Sequence, residues 1–166
     1  MFLGESSVDC AMTRLYGRAP AGEGVCGYVP DARFERTSVI STVRLDGGQA
    51  PMVFKGALDG KTFAACAEEV LAPTLREGGI VVMDNLSVHK VKGALGPVYA
   101  AGAEVLFLPP HSPEWNPIGL AWSKMKATLN RLTERTFDGL VKAMGAALEA
   151  ITPPDISGWF RHCGYC

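Results

Sequence analysis

Asp84 is the acidic side chain whose position most suggests chemistry. It directly follows the apolar run Ile80–Met83, and the end of a buried strand in an α/β sheet faces the crevice where ligands bind. Carboxylate oxygens are the ligands that hold two Mg²⁺ ions about 3.5–4 Å apart when a phosphodiester bond is cut. The residues alone leave two interpretations open, because an Asp before Asn85 also commonly caps a helix or closes a turn.

The residues from Asn116 to Gly119 predict the start of a helix. Asn116 is a good N-cap, and Pro117 suits the first helical position. Residue 119 then falls where Glu or Gln would complete a capping box. Gly119 supplies no side chain and costs up to about 1 kcal/mol of helix propensity. Local stability therefore gives no reason for this glycine, which indicates that an earlier side chain has been lost.

Length and composition predict a single domain that covers residues 1–166. The chain is 48% hydrophobic, and its 16 Lys+Arg against 17 Asp+Glu give a net charge of −1. That balance is not typical of a strong autonomous nucleic-acid binder, so any DNA contact must be local. No apolar run is long enough for a membrane span and no leader precedes the fold, which predicts a cytoplasmic protein without a membrane partner. Five cysteines without a framework predict reduced thiols.

Hydrophobic periodicity predicts an α/β fold. Residues 37–45 and 50–54 flank a turn and predict a hairpin, and a helix from Thr62 that kinks or ends at Pro73 precedes the strand Ile80–Met83. Residues 88–101 predict a further helix, and residues 104–108 predict a second buried strand. Two helical stripes follow, over residues 118–132 and 137–151. A hairpin followed by alternating strands and helices predicts a mixed sheet flanked by helices.

Two strings of the sequence carry a resemblance to a known family. The segments Val82–Leu86 and Leu106–Ile118 resemble the catalytic core of DDE transposases, in the bacterial insertion-sequence branch of the mariner-like group. The most specific part is Leu-Pro-Pro-x-Ser-Pro-x-x-Asn-Pro-Ile at 108–118. The resemblance implies an RNase H-like domain whose first strand, ending near Met1-Phe2-Leu3, is cut short by N-terminal truncation. It also implies that the helix-turn-helix region that recognises DNA ends in the family is not present.

The resemblance implies three acidic positions that bind Mg²⁺ or Mn²⁺, of which this chain keeps one. Asp84 is the expected metal ligand, whereas Gly4 occupies the family's Asp position and Gly119 its Glu position. Glu5 is a possible substitute. Because side chains alternate across a strand, Glu5 is expected on the opposite face from residue 4 and could serve only if the strand has already ended there.

The expected function is that of an insertion-sequence transposase domain, with metal-dependent cleavage and strand transfer of DNA ends as the ancestral activity, impaired here by the two glycines. Four lysines are candidates for phosphate contacts, although a solvated helix face is the commoner explanation of such charges: Lys90, Lys92, Lys124 and Lys126. His89 either adds a hydrogen bond near Asp84 or merely lies in a helix. The expected partners are transposon-end DNA, weakly bound, and a second copy of the chain. The alternative function is a non-catalytic module that pairs with an intact transposase.

Overall fold

The sheet is mixed, as the hydrophobic pattern predicts. The computed structural model describes residues 1–14 and 16–165, so Leu15 and Cys166 lie outside the description below. The strands are β1 (Phe2–Val8), β2 (Thr37–Val43), β3 (Met52–Lys55), β4 (Ile80–Met83) and β5 (Glu104–Phe107). Their order is β3-β2-β1-β4-β5, with β1 antiparallel to β2 and parallel to β4. The predicted hairpin is confirmed as the antiparallel pair β2 and β3.

Helices cover both faces of the sheet. The α-helices are α1 (Gly60–Cys66), α2 (Gly96–Ala100), α3 (Ile118–Leu132), α4 (Phe137–Glu149) and α5 (Pro153–His162). Alternation along β1 divides the interior, because Phe2 packs into a core with α3, α4 and α5, whereas Leu3 packs into a core with α1 and α2. Both helical stripes predicted after residue 117 are therefore core faces.

Two predictions about local structure are wrong. The first strand does not end near Leu3: β1 continues to Val8 and pairs with β2 along all seven residues. The helix expected over residues 88–101 is broken into a 3-10 turn, Ser87–Lys90, and the short helix α2. The chain is extended at Val91 and adopts a positive φ of 83° at Gly93, and both conformations are incompatible with a continuous helix.

The helix from residue 62 behaves as its Pro73 predicts. Helix α1 continues through a π-helical turn, Ala67–Leu71, into a 3-10 turn, Ala72–Thr74, and ends at Leu75.

The C-terminal segment holds the proline-rich loop, because the Tyr165 hydroxyl donates to the Trp115 carbonyl at 2.7 Å. Among the described residues, no helix is long and apolar enough to cross a membrane, and the four described cysteines are free thiols.

Candidate functional site

A cleft of about 580 Å³ opens where β1, β4, the proline-rich loop and α3 meet. The polar side chains that line it come mainly from Glu5, Asp84 and Asn85 on the sheet side and from Asn116 at the start of α3. The rest of its wall is largely apolar and includes Leu108, Ile118 and Trp122. Asp84 lies here because it follows the last residue of β4, at the carboxyl end of a parallel strand pair.

Positions 4, 84 and 119 all line this cleft. The sequence separates them by up to 115 residues, and the fold brings them together only because β1 lies beside β4 and α3 starts across the cleft. Asp84 is the one carboxylate among the three. The side chain of Asp84 is 44% exposed, and its Oδ1 accepts the Leu86 amide at 3.2 Å, so part of its predicted turn role is also present.

The two glycines have different surroundings. A Cβ built on Gly4 would lie 2.6 Å from Ile118 Cγ2, and it would lie 3.6 Å from Trp122 Nε1 and 3.8 Å from Asn116 Nδ2. Trp122 Nε1 is buried and has no hydrogen-bond partner within residues 1–14 and 16–165. The surroundings of Gly4 therefore keep N–H groups that could donate to a carboxylate, while Ile118 fills the space that its stem would need. A Cβ on Gly119 meets nothing within 4 Å.

The start of α3 follows the predicted cap only in part, because α3 begins at Ile118, one residue later than predicted. Asn116 is extended, with φ −110° and ψ 100°, whereas Pro117 already has helical angles of −58° and −25°. Asn116 Oδ1 accepts the Ile118 amide, although at a long 3.4 Å. Counted by these backbone angles, Gly119 is the third helical residue, where an acidic side chain would point into the cleft region and favour the helix dipole.

A second group of titratable side chains lies beside Asp84. His89, in the 3-10 turn after β4, is fully buried, and its Nδ1 lies 3.0 Å from Asp84 Oδ1 and 3.3 Å from the Asp84 carbonyl oxygen. Its Nε2 faces Glu5 Oε2 at 3.7 Å. Phe63 packs against the imidazole, with the ring centroids 4.6 Å apart. His89 thus bridges the two carboxylates, and its possible hydrogen bond near Asp84 is the interpretation that the geometry supports.

Glu5 lies on the face of β1 opposite Gly4, as alternation predicts, yet it still approaches the cluster. The strand has not ended at residue 4, so the stated condition for its involvement is not met. Glu5 reaches the cluster because the turn after β4 carries His89 beneath the sheet, into the core that contains α1 and α2. In the sequence, the one sign of this contact is that His89 follows Asp84 by five residues. Strand periodicity does not predict a contact from that spacing.

The carboxylates shift the titration of His89. Burial by itself would lower the pKa of this imidazole, but the hydrogen bond to Asp84 and the interaction with Glu5 outweigh burial and raise the pKa to about 9. Opposite charges within hydrogen-bonding distance favour the charged form of the ring. Asp84 and Glu5 therefore both favour the protonated, positively charged form of the His89 ring.

The residues present do not fit a pair of Mg²⁺ or Mn²⁺ ions at positions 4, 84 and 119. Two dications close together need several anionic ligands to offset their repulsion, and Asp84 is the single acidic residue of that set. Glu5, Asp84 and His89 each offer one ligand atom within 4.8 Å of the others, which is a donor set for one ion at most.

The four lysines predicted to contact DNA lie in different environments. Lys124 pairs with Asp155 at 2.5 Å and donates to the Ala150 carbonyl, so it joins α3 to α5. Lys90 lies over the Phe107 ring at 5.3 Å, and Lys92 is exposed. Lys126 lines a second cleft that also contains Glu5 and Leu86 of the first. Arg36, which the sequence analysis did not single out, lies in the same second cleft.

The fold and the cleft define a DDE-type nuclease scaffold, and the family comparison agrees. The model of the family described as DDE superfamily endonuclease matches residues 1–140, so the chain belongs to that family. No curated protein sequence matches it. The predicted superfamily is therefore confirmed, while the insertion-sequence branch stays a prediction.

Solved structures of Mos1 have the same fold. The chain superposes on the Mos1 strand transfer complex with a TM-score of 0.74 at 12% identity, covering 98% of this chain and 50% of that one. It superposes on a pre-cleavage Mos1 transpososome with a TM-score of 0.75 at 11% identity, covering 98% and 52%. For the Mos1 mariner paired end complex with Mn the TM-score is 0.69 at 12% identity, covering 98% and 51%. The predicted RNase H-like fold is confirmed, and the chain spans about half the length of the Mos1 chains.

Proposed function

We propose that this chain is a transposase DDE domain that keeps the nuclease scaffold and has lost most of its capacity for metal-dependent DNA cleavage and strand transfer. The observation that carries the proposal is the composition of the cleft: Gly4 and Gly119 line it together with Asp84. Cleavage by two ions needs carboxylates at three such positions, and a single carboxylate leaves the repulsion between two dications largely uncompensated.

The ion expected for an intact cleft is Mg²⁺ or Mn²⁺, and the expected substrate is transposon-end DNA. Support comes from the family match and from the Mos1 structures, which include a strand transfer complex, a paired-end complex with the left transposon end, and paired end complexes with Mn and with Mg. We expect DNA binding by this chain to be weak, because its net charge is −1 and Lys124 is already paired with Asp155.

The experiment that tests the proposal is calorimetric titration with Mg²⁺ and Mn²⁺, followed by nicking of a supercoiled plasmid. The matched control is Asp84→Asn, which removes the charge but keeps an oxygen that can accept from His89. We expect no saturable binding of either ion and no nicking by the folded protein. Saturable binding that disappears in Asp84→Asn, together with nicking, would refute the impairment.

Restoring the carboxylates asks whether the geometry of the site survives. Gly4→Asp and Gly119→Glu should restore ion binding only in a background that frees the space at residue 4, for instance Ile118→Leu, which has no branch at Cβ. If the triple variant folds and still binds neither ion, the backbone of the cleft has diverged as well.

A second candidate function is a non-catalytic module that pairs with an intact transposase or with its own copy. The observation that favours it is an apolar patch on the β4–β5 edge: Ile80 is 51% exposed and Leu106 is 56% exposed. Strand β5 ends the sheet, so one side of its backbone is also free to pair. Co-purification with a full-length relative, lost in Leu106→Lys, would support pairing; monomeric behaviour alone and in mixtures would refute it.

A further inference from the structure

The contact between His89 and Glu5 is an unusual feature of the buried cluster. Both His89 Nε2 and Glu5 Oε2 are buried, and neither has a hydrogen-bond partner among the described residues. They face each other at 3.7 Å, which is beyond the 2.7–3.2 Å typical of N–H···O hydrogen bonds. Two buried polar atoms without partners cost free energy unless something lies between them.

The other nitrogen of the ring determines what can lie there. Nδ1 has two acceptors nearby, the Asp84 carboxylate oxygen at 3.0 Å and the Asp84 carbonyl oxygen at 3.3 Å, so Nδ1 carries a proton. A metal ion that displaces the Nε2 proton, which is released to solvent, then meets the Nε2 lone pair beside Glu5. A carboxylate that holds Nδ1–H and leaves Nε2 free is the arrangement that orients histidines toward metal ions in proteins.

The distances match a metal ion better than a direct contact. With metal–nitrogen and metal–oxygen bonds of about 2.0–2.2 Å, tetrahedral ligands lie roughly 3.4 Å apart. The observed 3.7 Å needs a shift of a few tenths of an ångström, which Glu5 can supply because its side chain is 21% exposed. Glu5 also borders the second cleft, with Ser6, Ser7 and Lys126, so its partly exposed side chain links the two buried atoms to that cleft.

We propose that Glu5 and His89 form a site for one Zn²⁺ or Co²⁺ ion, with Asp84 orienting the imidazole. A mixed nitrogen and oxygen set favours Zn²⁺ or Co²⁺, whereas Mg²⁺ takes oxygen ligands and keeps several waters. Glu5 and Asp84 also line the cleft at Gly4 and Gly119, but the ligating atoms and the ion proposed here differ from those expected at positions 4, 84 and 119. Binding of Zn²⁺ here and binding of Mg²⁺ in the cleft can therefore be tested separately.

The test is titration of the metal-free protein with Co²⁺, read by visible absorption and by competition with Zn²⁺. We expect one Co²⁺ per chain, displaced by Zn²⁺ and not by Mg²⁺. Both Glu5→Gln and His89→Gln should weaken binding at least tenfold. Glu114→Gln, the same change on an exposed acid outside the cleft, should leave binding unchanged.

Because His89 is fully buried, its replacement risks unfolding the chain, so Glu5→Gln is the decisive variant and circular dichroism checks its fold. Zn²⁺ should also raise the melting temperature of the parent protein and not that of Glu5→Gln. A folded parent that binds no Co²⁺ would overturn the proposal, since a proton on Nε2 would then be the cation in the gap. Binding that survives in Glu5→Gln, or a near-ultraviolet thiolate band that identifies cysteine ligands, would overturn it as well.

Discussion

Alanine placed at the two cleft glycines should change stability in opposite directions. Gly4 is buried, and the Cβ of Gly4→Ala would lie 2.6 Å from Ile118 Cγ2, so either Ile118 or β1 must move. A β-branched side chain in a helix has one strongly preferred χ1 rotamer, which makes that movement costly. Overpacking of this kind destabilises by about 1–3 kcal/mol. Gly119 is exposed in helix α3 and its Cβ meets no atom, so Gly119→Ala should stabilise by up to about 1 kcal/mol.

Urea unfolding followed by circular dichroism measures both changes, with the slope m compared to confirm that the transition remains the same. A double-mutant cycle then assigns the cause. Ile118→Leu removes the Cγ2 branch at nearly constant volume and should cost less than about 1.5 kcal/mol alone. In its presence Gly4→Ala should lose most of its cost, which gives a coupling energy of about 1 kcal/mol or more. Equal effects at the two glycines, or additive effects of Gly4→Ala and Ile118→Leu, would refute the account of a filled carboxylate position.

Three further predictions concern charged groups. The pKa of His89 is raised above its ordinary 6.5 to about 9, so the contribution of the charged ring to stability is full below pH 6.5 and is lost as pH rises through 9. Without metal, the free energy of unfolding should fall by on the order of 3 kcal/mol over that range. His89→Gln should remove this dependence. The hydrogen bond from Lys124, with those from Thr152, lowers the pKa of Asp155 to about 2, so the contribution of the Asp155 carboxylate to stability is present above pH 3.8 and is lost as pH falls toward 2. The stability of Lys124→Met should therefore depend less on pH in this acidic range. An acid unfolding transition unchanged in Lys124→Met would argue against the pair. Lys126→Gln should weaken DNA binding in low salt, measured by fluorescence anisotropy. Lys124→Gln should alter stability and leave DNA affinity unchanged. Weaker DNA binding by Lys124→Gln than by Lys126→Gln would contradict the placement of these lysines.

Much of the secondary structure can be predicted from local sequence, because it follows hydrophobic periodicity and residue preferences. The abundance of β-branched residues after Thr37 predicts β2, and the stripe that includes Trp122 and Leu129 predicts the buried face of α3. The proline-rich string at 108–118 carries the resemblance to the family whose model matches residues 1–140. The misplaced parts are also explained locally: the positive φ at Gly93 breaks the expected helix, and β1 runs to Val8 because β2 pairs with its whole length.

The sequence by itself determined which carboxylates are missing, since the identities at positions 4, 84 and 119 need no coordinates. Only the tertiary structure decided what occupies their places. Ile118 contacts residue 4 because the start of α3 packs against β1, a contact between elements more than a hundred residues apart. Glu5 meets His89 because the broken helix after β4 turns the imidazole beneath the sheet. Neither contact has a signature in spacing, because each depends on the relative position of distant elements and not on a local periodicity.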